Sequence, residues 1–180
     1  MEPTAPLFLF GDTPEEVEDA RALIVLELAG ERFAVELTDV SEVIRDYPLY
    51  PVPGAPEFVD GVVNLRGRVV TVLSGRRLLG LADDPPPTGE RILILQGPGE
   101  LLGVRVDRVV GVKRVAVSAL EPPLAGKAGD ARGALRGLFT SEDRAVSLLD
   151  LAKLVTAPLE SAAGPELRAG FAVDKPQSGP

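Results

Sequence analysis

The stretch Gly61-Val62-Val63-Asn64-Leu65-Arg66-Gly67-Arg68-Val69-Val70-Thr71-Val72-Leu73 decides how the rest of the chain is read. Two runs rich in β-branched residues, Val62 to Leu65 and Val69 to Leu73, meet at Gly67, which lacks a Cβ and so takes the positive φ of a tight turn at little cost. The stretch predicts a β-hairpin with Arg66 at its tip. A guanidinium beside a glycine turn is costly to bury, so Arg66 reaches solvent, an acidic group of its own domain, or a protein docked on that end.

Upstream the pattern is also β. Leu23 to Leu28 is a nearly continuous apolar run, and Gly30-Glu31 turns the chain into Arg32 to Leu37, where Phe33, Val35 and Leu37 share a face. Thr38 or Asp39 is expected to cap a short helix with an apolar stripe of Val40, Val43 and Ile44, since Asp39 and Glu42 have capping-box spacing. Pro48, Pro51, Pro53 and Pro56 then keep Tyr47 to Pro56 extended across the surface. Downstream, Arg76-Arg77-Leu78-Leu79-Gly80 reads as a helical turn ended by glycine, and Asp83-Asp84-Pro85-Pro86-Pro87-Thr88 as a linker.

The pattern then starts again. Arg91 to Gln96, the turn Gly97-Pro98-Gly99-Glu100 and Leu101 to Val106 form another hairpin, followed by the valine-rich Val109 to Val117. Phe33-Ala34-Val35 aligns with Leu102-Gly103-Val104, and Arg68 to Leu73 aligns with Arg144-Ala145-Val146-Ser147-Leu148-Leu149 at the offset that also relates Gly61 to Gly137. A duplicated set of about five short strands predicts two similar small barrels. Pro122, Pro123, Gly126, Gly129 and Gly133 mark an irregular connection between later strands, and Leu149 to Val155 is expected to be a closing helix.

Composition limits the chemistry. The 180 residues are 45% apolar with a mean hydropathy of +0.15, enough for a real core. With no Cys there is no disulfide or thiolate chemistry, and with no His the commonest general base and metal ligand is missing. No catalytic, metal or cofactor site is expected. The net charge of −8 and pI near 4.7 oppose nucleic-acid binding, which needs cations to displace condensed counterions. No apolar run approaches the roughly 20 residues of a membrane span, and Met1-Glu2-Pro3-Thr4 is no basic leader, so a cytoplasmic location is expected.

Other motifs fail on spacing. Gly97-Pro98-Gly99 lacks the Lys-Ser/Thr of a phosphate loop and joins two strands, while Asp12-Thr13-Pro14 has Pro where an aspartic protease needs glycine. Glu42 differs, because its place at the edge of an apolar stripe lets a long carboxylate meet the Arg66 guanidinium in a bidentate pair. The reading as a solvated glutamate stands beside it.

The hairpin string, together with Gly30-Glu31-Arg32-Phe33-Ala34-Val35, Val40-Ser41-Glu42-Val43-Ile44, Val52-Pro53-Gly54-Ala55-Pro56 and Leu148-Leu149-Asp150-Leu151, resembles the CheW family of chemosensory coupling proteins from about Leu23 to Val155. The resemblance implies an all-β fold with short helices, built as two SH3-like five-stranded β-barrel subdomains. It also implies a non-enzymatic scaffold that links the cytoplasmic tip of chemoreceptors to the regulatory domain of a CheA-type histidine kinase. The partner-binding residues it implies are Val40 and Glu42 on the expected helix, Gly61, Asn64, Arg66 and Gly67 of the hairpin, and Val106 and Val109 of a Val-Asp-x-Val segment near the receptor groove.

The expected organisation is an acidic N-terminal segment at 1–21, a CheW-like domain at 22–156 with a first barrel mainly at 22–82 and a second mainly at 89–156, strand exchange between them being open, and a flexible tail at 157–180. Two features depart from the family pattern. Thr71 stands where Pro is usual, and Ser74-Gly75-Arg76 replaces Asp-Leu-Arg, although Asp150 keeps the acid in the second copy. The apolar Leu7-Phe8-Leu9-Phe10 cluster also lies outside the pattern, either docked on the domain or free to bind a partner. The competing readings are a small acidic hydrolase or ligand-binding barrel, and an SH3-like reader of proline-rich peptides, the latter weakened by the shortage of aromatic residues.

Overall fold

The strand at Ala20–Leu28 pairs on one side with its hairpin neighbour Glu31–Glu36 and on the other with Arg108–Ala116, from the second half of the chain. The computed structural model describes residues 19–45, 47–82, 89–96, 101–123 and 133–162. The Leu7–Phe10 cluster, the linker at 83–88, the turn at 97–100, Gly126, Gly129 and the tail beyond 162 lie outside the described residues.

Among the described residues there are ten strands: β1 Ala20–Leu28, β2 Glu31–Glu36, β3 Val40–Ile44, β4 Val59–Leu65, β5 Arg68–Ser74, β6 Arg91–Leu95, β7 Leu101–Val106, β8 Arg108–Ala116, β9 Leu135–Ser141 and β10 Arg144–Leu149. Two α-helices, α1 Gly75–Leu78 and α2 Leu151–Ala162, and two short 3-10 turns, Leu37–Asp39 and Val117–Ala119, complete the described elements. The strands form two five-stranded sheets of SH3-like character, ordered β8-β1-β2-β10-β9 and β3-β6-β7-β5-β4.

Neither sheet is made from one half of the chain, so a division at 82/89 does not describe the strands. The first sheet joins β1 and β2 to β8, β9 and β10, through a parallel pairing of β2 with β10. The second joins β3, β4 and β5 to β6 and β7, through a parallel pairing of β5 with β7. A hairpin from one half completes the sheet of the other, and the two parallel pairings occupy the backbone edges that β2 and β7 would otherwise leave unpaired.

Neither sheet closes into a barrel, but each curls far enough that a single bridge links the chain just past one edge strand to the other edge strand. Beyond β3, Tyr50 exchanges backbone hydrogen bonds of 2.9 and 2.8 Å with Val62 of β4, and beyond β8 Glu121 exchanges bonds of 2.7 and 2.9 Å with Leu138 of β9. The duplicated glycines sit under these two bridges. A Cβ on Gly61 would fall 2.3 Å from the Tyr50 carbonyl oxygen, and one on Gly137 would fall 2.8 Å from that of Glu121. Close backbone approach is thus the physical reason for glycine at both places.

Three apolar clusters follow. Leu23, Val25, Ala34, Phe139, Val146 and Leu148 fill the first sheet, and Ile44, Val63, Leu65, Val70, Val72, Ile92 and Ile94 fill the second. The largest cluster lies between them, where Leu26, Leu28, Phe33 and Val35 meet Leu73, Leu78, Leu93, Val104 and Val106, with Leu151 and Leu154 of α2.

Two expectations about helices change. Residues 40–44 are strand β3, and only Leu37–Asp39 is helical, as a 3-10 turn. Val40 pairs with Leu95 and Glu42 with Ile94, which leaves Ser41 as the extra residue of a bulge. Burial still alternates along β3, with Val40, Glu42 and Ile44 inward of Ser41 and Val43; Val43 is an apolar residue left 41% exposed, and it alone gives Val40, Val43 and Ile44 their helical spacing. The closing helix α2 runs to Ala162, beyond the expected tail boundary at 157, with Pro158 inside it. Pro158 is buried, and Leu159 packs with Leu154 and Val155 against the central cluster, which offsets the hydrogen bond the proline cannot donate.

Candidate functional site: the Arg66 turn and the barrel mouth

The β4–β5 turn has two residues, both left-handed, with φ of 51° at Arg66 and 82° at Gly67. Two positive φ values in a two-residue loop are the geometry that follows the right-handed twist of a hairpin. Asn64 secures it, its Oδ1 accepting the Gly67 N–H at 2.8 Å. Asn64 therefore spends its side chain on the turn, and Arg66 is held outward with its side chain 74% exposed.

Glu42 comes from β3, at the opposite edge of the same sheet. Because the sheet curls, its carboxylate meets Arg66 in two bonds, Nη1 to Oε1 at 3.1 Å and Nη2 to Oε2 at 2.8 Å. The expected pairing is present, on a strand instead of a helix. The two side chains flank a cleft of about 280 Å³ that is also lined by Ser41, Leu65, Arg68, Ile94 and Leu101. Leu65 and Ile94 belong to the second sheet's core, so the cleft is the mouth of that curled sheet, with an ion pair over an apolar floor.

The remaining expected residues divide by burial. Gly61 is buried beneath the Tyr50 bridge, and Val106 is 1% exposed within the central cluster. Val40 and Val109 are half-buried and pack against that same cluster. Thus Glu42, Asn64, Arg66 and Gly67 gather at one end of the second barrel, whereas Val40, Val106 and Val109 converge on the layer between the barrels.

Sequence reasoning passed over three features. Ser74 accepts the Arg77 N–H and caps α1, just as Asp150 accepts the Lys153 N–H and caps α2; their backbone N–H groups donate to the corresponding residues Phe58 and Ala134. The serine therefore retains the capping role of the acid it replaces. Arg76 and Asp107 form a buried ion pair, for which the signal was a carboxylate directly after the apolar run ending at Val106.

The third feature is a charge network across the first sheet. Glu27 receives Arg32, Arg108 and Arg144, while Glu142 receives Lys113 and Arg32. Burial alone would raise the Glu27 carboxyl, but the neighbouring Arg108, Arg32 and Arg144 outweigh it and hold the group below its ordinary range. Two acids go the other way. Burial raises Asp39, with repulsion from Glu36 and Asp150 added, and burial raises Glu90 against the pull of Arg105.

Among the described residues no cluster of acids is arranged to hold a metal ion, and no helix is long and apolar enough to cross a membrane.

Comparison with known proteins agrees with this architecture. The chain is 28% identical to the chemotaxis protein CheW of Thermotoga maritima over 74% of its own length and 86% of the relative's. It is 32% identical to protein FrzA of Myxococcus xanthus, over 69% and 78% respectively. Among solved structures, the scaffolding protein TtCheW from Thermoanaerobacter tengcongensis superposes with a TM-score of 0.66 at 26% identity, covering 74% of this chain and 91% of that one. The family model described as the CheW-like domain matches residues 22–158, which takes in both sheets and most of α2, and on that match this chain belongs to the CheW-like domain family.

Proposed function

We propose that the protein is a non-enzymatic coupling scaffold of a chemosensory signalling array, joining chemoreceptors to a CheA-type histidine kinase in the cytoplasm. The observation that carries this reading is the CheW-like match over residues 22–158. Relatives described as chemotaxis protein CheW and as a scaffolding protein support it, and they do not favour the hydrolase or ligand-barrel alternative.

The geometry suits such a role. Arg66 is a rigidly presented cation at the end of a hairpin, its direction set by the Asn64 turn and the Glu42 fork, and so needs little ordering on docking. Its bidentate donors match a partner carboxylate, and the apolar floor beneath adds burial around that contact. The chemoreceptor tip and the kinase's regulatory domain are the partners, bound through the hairpin face with Glu42, Asn64, Arg66 and Gly67 and through the inter-barrel layer with Val40 and Val109. Gly61 and Val106 are buried and touch no partner directly; Gly61 admits the Tyr50 bridge and Val106 fills the central layer beneath Val40 and Val109.

The test is capture of a receptor cytoplasmic fragment and of the kinase regulatory domain by purified wild-type and Arg66→Ala protein. Retained wild-type capture that falls by about tenfold or more in the variant supports the reading, on the scale of a lost desolvated charge contact. Wild-type protein that binds neither partner overturns it. A charge at Val109 is a poorer probe, since Val109 packs against the central core and its replacement would also unfold the domain.

A further inference from the structure

The chain passes from the second sheet to the first at a single residue. β7 ends at Val106, β8 starts at Arg108, and Asp107 alone lies between them. Asp107 is 7% exposed, and Arg76, from α1 at the end of β5, is 9% exposed. Their pair is bidentate, with Arg76 Nε donating to Oδ1 at 2.8 Å and Nη2 to Oδ2 at 2.6 Å. Oδ2 also accepts the backbone N–H of Ala29 at 2.7 Å, in the β1–β2 turn of the first sheet. The Asp107 N–H reaches the Glu27 carbonyl at 3.2 Å, and Arg76 Nη1 donates to the Ala82 carbonyl at 3.2 Å.

One carboxylate thus holds an arginine of the second sheet and a backbone amide of the first. Most of the remaining layer between the sheets is apolar, and apolar contact is strong but non-directional, so it sets a distance more firmly than an angle. A forked, buried ion pair is directional, and it is costly to break because the charges would be left without partners. Gly75 lets α1 approach, since a Cβ there would fall 2.7 Å from the Arg105 carbonyl oxygen and 3.2 Å from Leu28.

We propose that Arg76 and Asp107 are positioning residues that lock the angle between the two sheets, and so fix the inter-sheet face of Val40 and Val109 relative to the hairpin face of Arg66. This rests on the coupling function above. Its distinctive consequence is that loosening the lock spares the partner that docks on the hairpin face and weakens the one that docks between the sheets, and with it the joint complex.

The chain has no cysteine, so Val69→Cys on the second sheet and Val112→Cys on the first, at exposed positions, give spin labels whose separation reports the angle. The distance distribution is measured in the wild-type background, with Asp107→Asn, and with Arg76→Met and Asp107→Leu together, the last removing both charges of the pair. Both are expected to broaden the distribution while keeping a cooperative thermal transition. Unlabelled variants are expected to bind the partner that docks on the hairpin face within about twofold of wild type, and the one that docks between the sheets more weakly. They should form the ternary complex about tenfold less well, as when a tenth of molecules hold the competent angle.

A narrow, wild-type-like distribution in both variants overturns the lock, and a broadened one with unimpaired ternary assembly overturns its role in coupling. Wild-type protein that binds no partner counts against the coupling function instead, and the label distances still decide the lock.

Discussion

Arg66 and Glu142 occupy the same place in the two halves of the chain and carry opposite charges. Each is the first residue of a two-residue turn, with φ of 51° and 52°, followed by Gly67 at 82° and Asp143 at 58°. Each is tied to another strand of its own barrel, Arg66 to Glu42 and Glu142 to Lys113 and Arg32. The duplicated backbone has kept the turn and its anchoring, while the sign of the tip has diverged. The two barrel ends therefore offer different surfaces to partners.

Separating the pair from the arginine itself is direct. Arg66→Ala should change stability by less than about 1 kcal/mol, because exposed ion pairs contribute little. Partner capture should fall much further. Exchanging the charges, Glu42→Arg with Arg66→Glu, should restore the thermal midpoint without restoring capture. Recovery of capture in the exchanged protein would show that the pair, and not the guanidinium at the tip, is recognised.

The glycines make a graded set. Gly61→Ala meets both a backbone oxygen at 2.3 Å and a φ of +147°, and should destabilise by about 3 kcal/mol or more. Gly137→Ala meets an oxygen at 2.8 Å without a positive φ, so about 1–3 kcal/mol is expected. Gly67→Ala has open space and only the φ of +82° against it, at about 1 kcal/mol. Denaturant titration of the three should return that order.

Helix capping gives a matched comparison. Ser74→Ala and Asp150→Ala should each cost about 1 kcal/mol through the lost cap. Asp150→Ala should cost more, since Asp150 also holds Arg136 at 3.1 Å. Asp150→Asn, which keeps the cap, should recover most of the loss; equal unfolding midpoints for Asp150→Ala and Asp150→Asn would contradict this.

Acid should act on the two classes of carboxylate in opposite directions. Glu27 is held below its ordinary value, so its contribution is full above about pH 4.5 and is lost as pH falls through the lowered folded value. Glu27→Gln should flatten the fall of the thermal midpoint in that range. Asp39 is raised, so the fold favours its protonated form; its contribution is full below the ordinary value of 3.8 and is lost as pH rises through the folded value. Asp39→Asn should stabilise the protein at neutral pH, with the gain vanishing near pH 3.8.

Much of the site was legible from residue order because turn chemistry is local. Asn64, Arg66 and Gly67 specify their hairpin through one side-chain acceptor and a glycine, and the repeat of Gly61 at Gly137 announced a duplicated backbone. The Glu42–Arg66 contact was legible as well, although β3 was read as a helix because Val43, an apolar residue on the exposed face, completes helical spacing with Val40 and Ile44.

Strand partnership was decided only by the tertiary structure. That β2 lies beside β10 and β5 beside β7 follows from the shared burial of Phe33, Leu73, Val104 and Leu149 in one central layer, and no residue's near neighbours in the chain encode that sum. The Arg76–Asp107 pair belongs to the same class. Each residue looks like an ordinary surface charge until folding removes water from both, and only then do they require each other.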